Sequence, residues 1–527
     1  MKLDKIFVAL FIGLAMTACS NDDEMTTGGQ GQSPVTGGTA YMSVALNMPK
    51  STGTRASGLD HGTSDEQKVN EVMLVLFDAS NICVDAKTLA ASEYKLTVGG
   101  TASVDGAAFQ VPATTKKVLA VINPSTDFKS RCVVSAGWAA INAAWTTSVE
   151  DVIGGTTKNS FMMINAGDDV SHEALIDVSA NIKTVDGVTY TNATDAKTAA
   201  ATAPATINVE RVVAKVSLKE ADSGVMVVAP GAKCTFGNWA LNVTNKDMFP
   251  FSEIVTPADG RSANYRKDNN YDTGSFSVSN FNYLDAAVSF SGMTEALYCL
   301  ENTMDAAEQT EAQTTSAVVS AVYTPATYTV GKSWFRLLGT SYETLADLKS
   351  VYTIAATKVG DGSASEREKK QVKLCDEFYV RIAAMATAQS KTWNAIDFSS
   401  LDIDEMDAVV NGGEASKPAV ITTTTPNTMQ DLGVEYFQKG TCYYSILIRH
   451  DDAVTGTMEL GKYGVVRNNW YTLTINSVKQ PGTPWIPDPT NPIDPTDPGE
   501  DNDEAEAFLA VGITVNSWTT WSQGVDL

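Results

Sequence analysis

Apolar and polar residues alternate with a period of two through much of this chain, and the clearest run lies near its C-terminal end. In Phe508-Leu-Ala-Val-Gly-Ile-Thr-Val-Asn-Ser517, Leu509, Val511, Ile513 and Val515 alternate with Ala510, Gly512, Thr514 and Asn516. That is the pattern of a strand with one buried face. A near copy stands at the other end, Tyr41-Met-Ser-Val-Ala-Leu-Asn-Met48, where Met42, Val44, Leu46 and Met48 share a face. Two segments so alike are suited to the same groove. Between Pro481 and Pro498 fall seven prolines. Such a run favours extended polyproline conformation and acts as a semi-rigid spacer, so the closing strand is expected to be held away from its own domain.

Further strands are predicted at Val72–Phe77, Lys117–Ile122, Ala205–Leu218, Ser316–Tyr323, Cys442–Ile448 and Trp470–Ile475. They are rich in β-branched and aromatic residues and bounded by Gly, Asn, Asp and Thr turns. Helical periodicity is confined to Trp138–Ile153, Tyr342–Val351 and part of 376–409. The balance favours an all-β chain of two antiparallel β-sandwich domains, transthyretin-like or Greek-key, with few short helices. At 527 residues the chain is too long for one ordinary core. The expected divisions are 1–18, 19–55, 56–225, 226–480, a Pro/Asp-rich linker 481–507, and a closing strand 508–527.

Charge and the N-terminal residues narrow the class. A formal net charge of −24 argues against binding to a nucleic-acid backbone, which needs basic patches. Lys2 and Lys5 precede an apolar run from Ile6 to Met16, too short for a permanent membrane span and read as a sorting signal. It ends in Met16-Thr17-Ala18-Cys19, which resembles the lipobox of bacterial lipoproteins. Cys19 is then the expected lipidation site, and 20–39 a flexible tether. The other cysteines, Cys83, Cys132, Cys234, Cys299, Cys375 and Cys442, lie far apart without a CxxC and are expected to be buried free thiols.

Catalytic patterns are lacking. His61, His172 and His450 form no HExxH or ligand-spaced cluster and read as surface histidines. There is no GxSxG and no GxxxxGK[ST], and Asp402, Asp404 and Glu405 read as a solvated acidic loop. No enzyme activity, metal or other cofactor is expected.

Several segments in order carry a family resemblance. They are Met1-Lys-Leu-Asp-Lys-Ile-Phe through Cys19, Tyr41 to Pro49, Val209-Glu-Arg-Val-Val-Ala-Lys-Val216, Phe437-Gln-Lys-Gly-Thr-Cys-Tyr-Tyr444 and Val465-Val-Arg-Asn-Asn-Trp-Tyr471. The Pro/Asp linker and the closing Gly-Val-Asp-Leu527 complete the set. Together these resemble the fimbrial shaft proteins of Bacteroidales type V pili, nearest to the minor, short-fimbrium subunits. The resemblance implies a lipidated outer-membrane precursor that an arginine-specific protease cuts after its first strand. The matching bond is Arg55–Ala56, in a Gly/Thr/Ser-rich stretch that reads as an exposed loop. Loss of Met42, Val44, Leu46 and Met48 would open a groove for the donor residues Leu509, Val511, Ile513 and Val515 of another copy. The implied partners are further copies in a head-to-tail polymer and the anchor and tip subunits of a cell-surface fimbrium serving adhesion and biofilm formation. A different class stays open: a non-polymerising surface lipoprotein binding glycans or host proteins through Trp485, Trp518 and Trp521.

Overall fold

A computed structural model describes residues 39–48, 62–98, 101–102, 106–166, 173–255, 265–271, 277–284, 290–388, 434–451, 459–487 and 509–517. Strands dominate, and two large apolar clusters form beneath them. The first draws on residues from Ala40 to Val213, joined by Met248 and Leu300. The second begins at Ala214 and runs to Val478. The change of core falls on one continuous piece of chain, at the bend of Val212 between the strands Ala205–Arg211 and Val213–Glu220.

The first core lies under a nine-stranded sheet. Its path runs Cys83–Leu89, Val72–Phe77, Lys117–Ile122, Met163–Asn165, Ala205–Arg211, Val44–Asn47, Tyr94–Val98 and Thr101–Ala102, with Ile176–Asp177 attached to Lys117–Ile122. Val72–Phe77 is buried at every position and Lys117–Ile122 at all but its first. Unbroken apolar runs of this kind suit strands covered on both faces. Asn165 sits wholly buried among them. Its Oδ1 accepts from the Ala120 amide at 2.9 Å, and its Nδ2 donates to the carbonyls of Val118 at 3.0 Å and Ala174 at 2.7 Å. One side chain thus satisfies backbone groups that the ladder leaves unpaired.

In the second half, Asn469–Val478 is paired parallel with Val213–Glu220 and Met226–Val227. Leu297–Leu300 joins on the far side of Val213–Glu220. A second sheet orders Lys233–Asn242, Ser316–Thr324 and Thr441–Leu447, and a third orders Thr340–Tyr342, Trp334–Leu337 and Val434–Phe437. Trp334 stacks on Phe437 with centroids 3.8 Å apart. Lys233–Asn242 is an edge strand, and a bulge between Phe236 and Trp239 with exposed Lys233, Thr235 and Asn238 breaks its regularity.

The helices differ in one respect from the expectation of few short ones. Thr126–Arg131, Trp138–Ile141 and Val149–Ile153 are short, but Leu345–Asp361 and Glu366–Ala388 have 17 and 23 residues. Thr344 and Asp347 form a capping box at the start of the first, and Gly362 closes it with φ +79°. The second begins Glu-Arg-Glu-Lys-Lys-Gln, polar on all sides, so its periodicity shows only once Cys375 and Phe378 are buried. Both form an excursion between Thr340–Tyr342 and Val434–Phe437 and leave the sheets intact.

Asn165→Ala removes three hydrogen bonds from buried backbone groups. At roughly 1–3 kcal/mol for each group left unsatisfied, the unfolding free energy is expected to fall by several kcal/mol. Chemical denaturation monitored by tryptophan fluorescence measures this. A loss below about 1 kcal/mol would assign Asn165 no bridging role.

Candidate functional site

The two terminal strands occupy different kinds of place. Thr39–Met42 lies between Lys183–Thr184 and Phe109–Pro112, antiparallel to both. The chain then crosses at Ser43, whose hydroxyl donates to the Ala200 carbonyl at 2.7 Å. Val44–Asn47 continues in the large sheet, parallel to Ala205–Arg211 on one edge and to Tyr94–Val98 on the other. Opposite Val44, Leu46 and Asn47 stand Ala205, Ile207 and Asn208 on one side and Tyr94, Leu96 and Thr97 on the other. Met42, Val44 and Leu46 are fully buried and Met48 nearly so. The opening segment is therefore paired on both edges in each sheet it visits and contributes to the core. Asn47, on the opposite face, donates through Nδ2 to Asn208 Oδ1 at 3.1 Å.

Leu509–Ser517 pairs antiparallel with Asn469–Val478 along its whole length. The register opposes Leu509, Val511, Ile513 and Val515 to Val478, Ile475, Leu473 and Tyr471, which are the fully buried members of that strand. Val213–Glu220 and Met226–Val227 share the other edge of Asn469–Val478, so the closing strand caps an edge that would otherwise be open. This corrects the expectation of a strand held away from its own domain. An open edge in the same chain, within reach of the linker, is filled.

The linker also departs from a free arm, because its first residues are docked. Tyr443 and Thr483 exchange backbone hydrogen bonds at 2.7 and 3.0 Å, and Tyr444 donates its hydroxyl proton to the Gln480 carbonyl at 3.0 Å. A side chain at Gly482 would collide with the Tyr443 carbonyl. Trp485 and Ile486 are buried. The sequence reading makes Trp485 an exposed aromatic of a sugar platform, and its burial removes it from that role. Trp518 and Trp521 lie outside the described residues, as do Cys19, Arg55, Ala56, His61, His172, Asp402, Asp404 and Glu405.

The strand that holds the closing segment is itself firmly anchored. Arg467 is buried, with Nε donating to Glu301 Oε2 at 3.1 Å and its other nitrogens donating to the carbonyls of Pro250 at 2.6 Å and Phe249 at 2.9 Å. Asn468 adopts φ +59°, a conformation asparagine tolerates well, and accepts from the Arg211 amide at 3.2 Å. The Tyr471 hydroxyl accepts from the Val466 amide and lies 2.8 Å from His450 Nδ1. His450 is half-buried rather than a surface histidine: its ring packs beside Tyr265 and Tyr471, and burial lowers its pKa to about 4 despite the nearby charges of Asp451 and Glu301. The sequence signal missed here was Tyr471, three positions beyond Asn468, whose hydroxyl needs an internal partner.

The six remaining cysteines are unbridged, as expected. Burial raises the thiol of Cys83 to about 11 and that of Cys442 to about 11. Cys132, Cys234, Cys299 and Cys375 are raised to about 12 by the same cause. Thiols held protonated are poor nucleophiles. Among the described residues, no group of three or more His, Cys, Asp or Glu side chains is arranged to hold a metal ion.

Residues 435–524 match the family described as major fimbrial subunit protein type IV, fimbrillin, C-terminal. The chain carries a fimbrillin C-terminal region. That region comprises the anchored strand, the linker and the closing strand, so the resemblance read at Val465–Tyr471 stands. No curated protein matches the chain in sequence. Among solved structures, a fimbrilin of Porphyromonas gingivalis W83 is similar at 14% identity and TM-score 0.37, over 91% of this chain and 99% of that one. The tip fimbrial protein Mfa3 of Porphyromonas gingivalis, with C-terminal truncation, is similar at 11% identity and TM-score 0.29, over 79% and 92%. A fimbrial assembly protein of Parabacteroides distasonis gives 13% identity and TM-score 0.27, over 55% and 82%. These are loose likenesses, and the fimbrillin region rests on the family match.

Because the folded pKa of His450 is lowered, its contribution to stability is complete above the ordinary value of 6.5 and is lost as pH falls toward 4. Between pH 7 and pH 4 the native chain is expected to lose about 3 kcal/mol more than His450→Gln, which cannot take up the proton. Urea unfolding of both proteins at the two pH values measures the difference. Equal losses would contradict the burial of a neutral imidazole.

Proposed function

We propose that the chain is a structural subunit of a fimbrial shaft, exported as a lipoprotein through Cys19, cut between Arg55 and Ala56, and polymerised by strand exchange. In this reading 1–18 is the signal peptide and 19–55 the removed propeptide. The groove belongs to a first domain that ends at the Val212 bend rather than at 225, since Ala214, Val216 and Leu218 pack in the second core; a second domain follows to 480, and 481–507 links it to the donor strand 508–527. Further copies, the anchor and tip subunits of the fimbrium, an arginine-specific protease and the outer membrane are the partners.

One observation carries the reading: the first strand is interior, whereas the last is at an edge. Taking away 39–48 would strip Ala205–Arg211 and Tyr94–Val98 of a shared neighbour and uncover the core beneath Met42, Val44, Leu46 and Met48. Four such side chains are worth roughly 6–12 kcal/mol at about 1.5–3 kcal/mol each. The vacated place offers an incoming strand two rows of backbone partners, against one row at the edge of Asn469–Val478. A strand moving from edge to interior therefore gains pairing, and several kcal/mol of association entropy is offset. A contact from the tail of one copy to the head of the next does not close on itself and grows a filament.

Treatment of the full-length chain with an arginine-specific protease is expected to yield a ladder on unboiled gels that collapses on boiling. Arg55→Ala and a chain lacking 508–527 should each remain a single band. Absence of a protease-dependent ladder in the full-length sample would sink strand exchange. A ladder from the Arg55→Ala protein would move the cut elsewhere.

A further inference from the structure

The bend at Val212, where the chain passes from one core to the other, is straddled by one buried residue, Glu66, through its carboxylate on one side and its backbone carbonyl on the other. Glu66 is 1% exposed, although Thr63, Ser64, Asp65 and Lys68 around it are exposed. Its Oε1 lies 2.8 Å from Lys215 Nζ, and the Tyr298 hydroxyl donates to the same oxygen. Its Oε2 accepts from the Thr63 amide at 2.7 Å. Its backbone carbonyl accepts from Arg211 Nε at 3.3 Å and from the adjacent guanidinium nitrogen at 3.1 Å. Arg211 is the last residue of the strand bordering Val44–Asn47, and Lys215 stands in the strand bordering Asn469–Val478. One residue thus holds both sides of the bend.

The contacts extend outward from there. The Lys215 ammonium lies 3.9 Å from the centroid of the Trp470 ring, whose Nε1 donates to Ser217 Oγ at 2.9 Å. The Arg211 amide donates to Asn468, and the Asn468 amide donates to the Val213 carbonyl at 2.8 Å. On the other side, Asn70 and Glu71 donate their amides to Asn123 Oδ1, which ties the 62–71 segment to the first core. Gly62 has φ +82°, and any side chain there would strike the Glu66 carboxylate. Burial opposes the charge on Glu66, but the hydrogen bonds from Lys215 and Tyr298 and the Lys215 charge outweigh it, and its pKa is lowered.

An apolar residue could fill such a space with comparable stability. What a charged cage supplies instead is direction, because each partner is held at one distance and one angle. We propose that Glu66 is a positioning residue that locks the Val212 bend and so fixes the orientation of the strand bordering the first segment against the strand holding the last. None of these hydrogen bonds involves 39–48, so the lock can be tested whether or not the chain polymerises.

Hydrogen exchange on the full-length chain tests it, comparing native protein with Glu66→Ala and Glu66→Gln. Both variants are expected to exchange about tenfold faster or more at the amides of Arg211, Val213 and Asn468, with Glu66→Gln the milder because its amide oxygen still accepts from Tyr298 and Lys215. The amides of Leu74, Val75 and Leu76, deep in the first core, should keep their native rates. Native rates at the bend in both variants would overturn the proposal. So would equal acceleration at the bend and at Leu74–Leu76 in Glu66→Gln, which would make Glu66 a contributor to general stability only.

Discussion

A strand paired on both edges and buried beneath cannot leave a sheet unless something takes its place, and Val44–Asn47 is such a strand. The constraint is the backbone: each buried N–H and C=O needs a partner, and water cannot supply one inside a core. Thr39–Met42 obeys the same rule in its own sheet, where Lys183–Thr184 and Phe109–Pro112 flank it. Leu509–Ser517 meets a weaker form of it. At the margin of Asn469–Val478 it satisfies one neighbour and needs no second. The proposed function draws its direction from this inequality between interior and edge.

The two cores are apolar, yet polar groups concentrate where they meet. Glu66, Arg211 and Lys215 are held there, and nearby Arg467 pairs with Glu301 while Arg266 pairs with Glu210. Burial raises the Glu210 carboxyl to about 7 even beside Arg266 and Arg467. Such groups cost desolvation, and their return is geometric definition rather than net stability. Oil-like contact would let the two halves slide. Directional contacts hold Arg211, Asn468 and Trp470 in one frame, which joins the start of one functional strand's sheet to the start of the other's.

Much of the architecture was legible because period-two alternation is a local signal. The two terminal strands follow directly from it, whereas Val72–Phe77 and Lys117–Ile122 show as short unbroken apolar runs rich in β-branched residues. Pairing was not legible, since it depends on residues far apart: nothing in Met42–Met48 announces two parallel neighbours from positions 94 and 205. The polar start of Glu366–Ala388 hid a helix whose buried side is set by Gln371, Cys375 and Phe378. Glu66 was invisible for the same reason as the pairing. An acid among Thr, Ser, Asp and Gln reads as solvated until Lys215 and Tyr298 are brought to it. Prolines misled in part, because Pro481, Pro484 and Pro487 belong to a docked stretch rather than to a free spacer.

That docking bears on how the closing strand chooses its partner. With 480–487 fixed against Thr441–Leu447, the tether to Leu509 is the 21 residues from 488 to 508. Fully extended it reaches at most about 76 Å. Folding back presents the edge of Asn469–Val478 at an effective concentration on the order of millimolar, which favours self-pairing over any second molecule offering an equal edge. Only a better site can win, and an interior position with two rows of partners is one. While 39–48 fills that position, self-pairing has no rival. In the proposed reading, then, the removal of one strand and the release of the other are connected by competition for partners, with no signal required to pass between them.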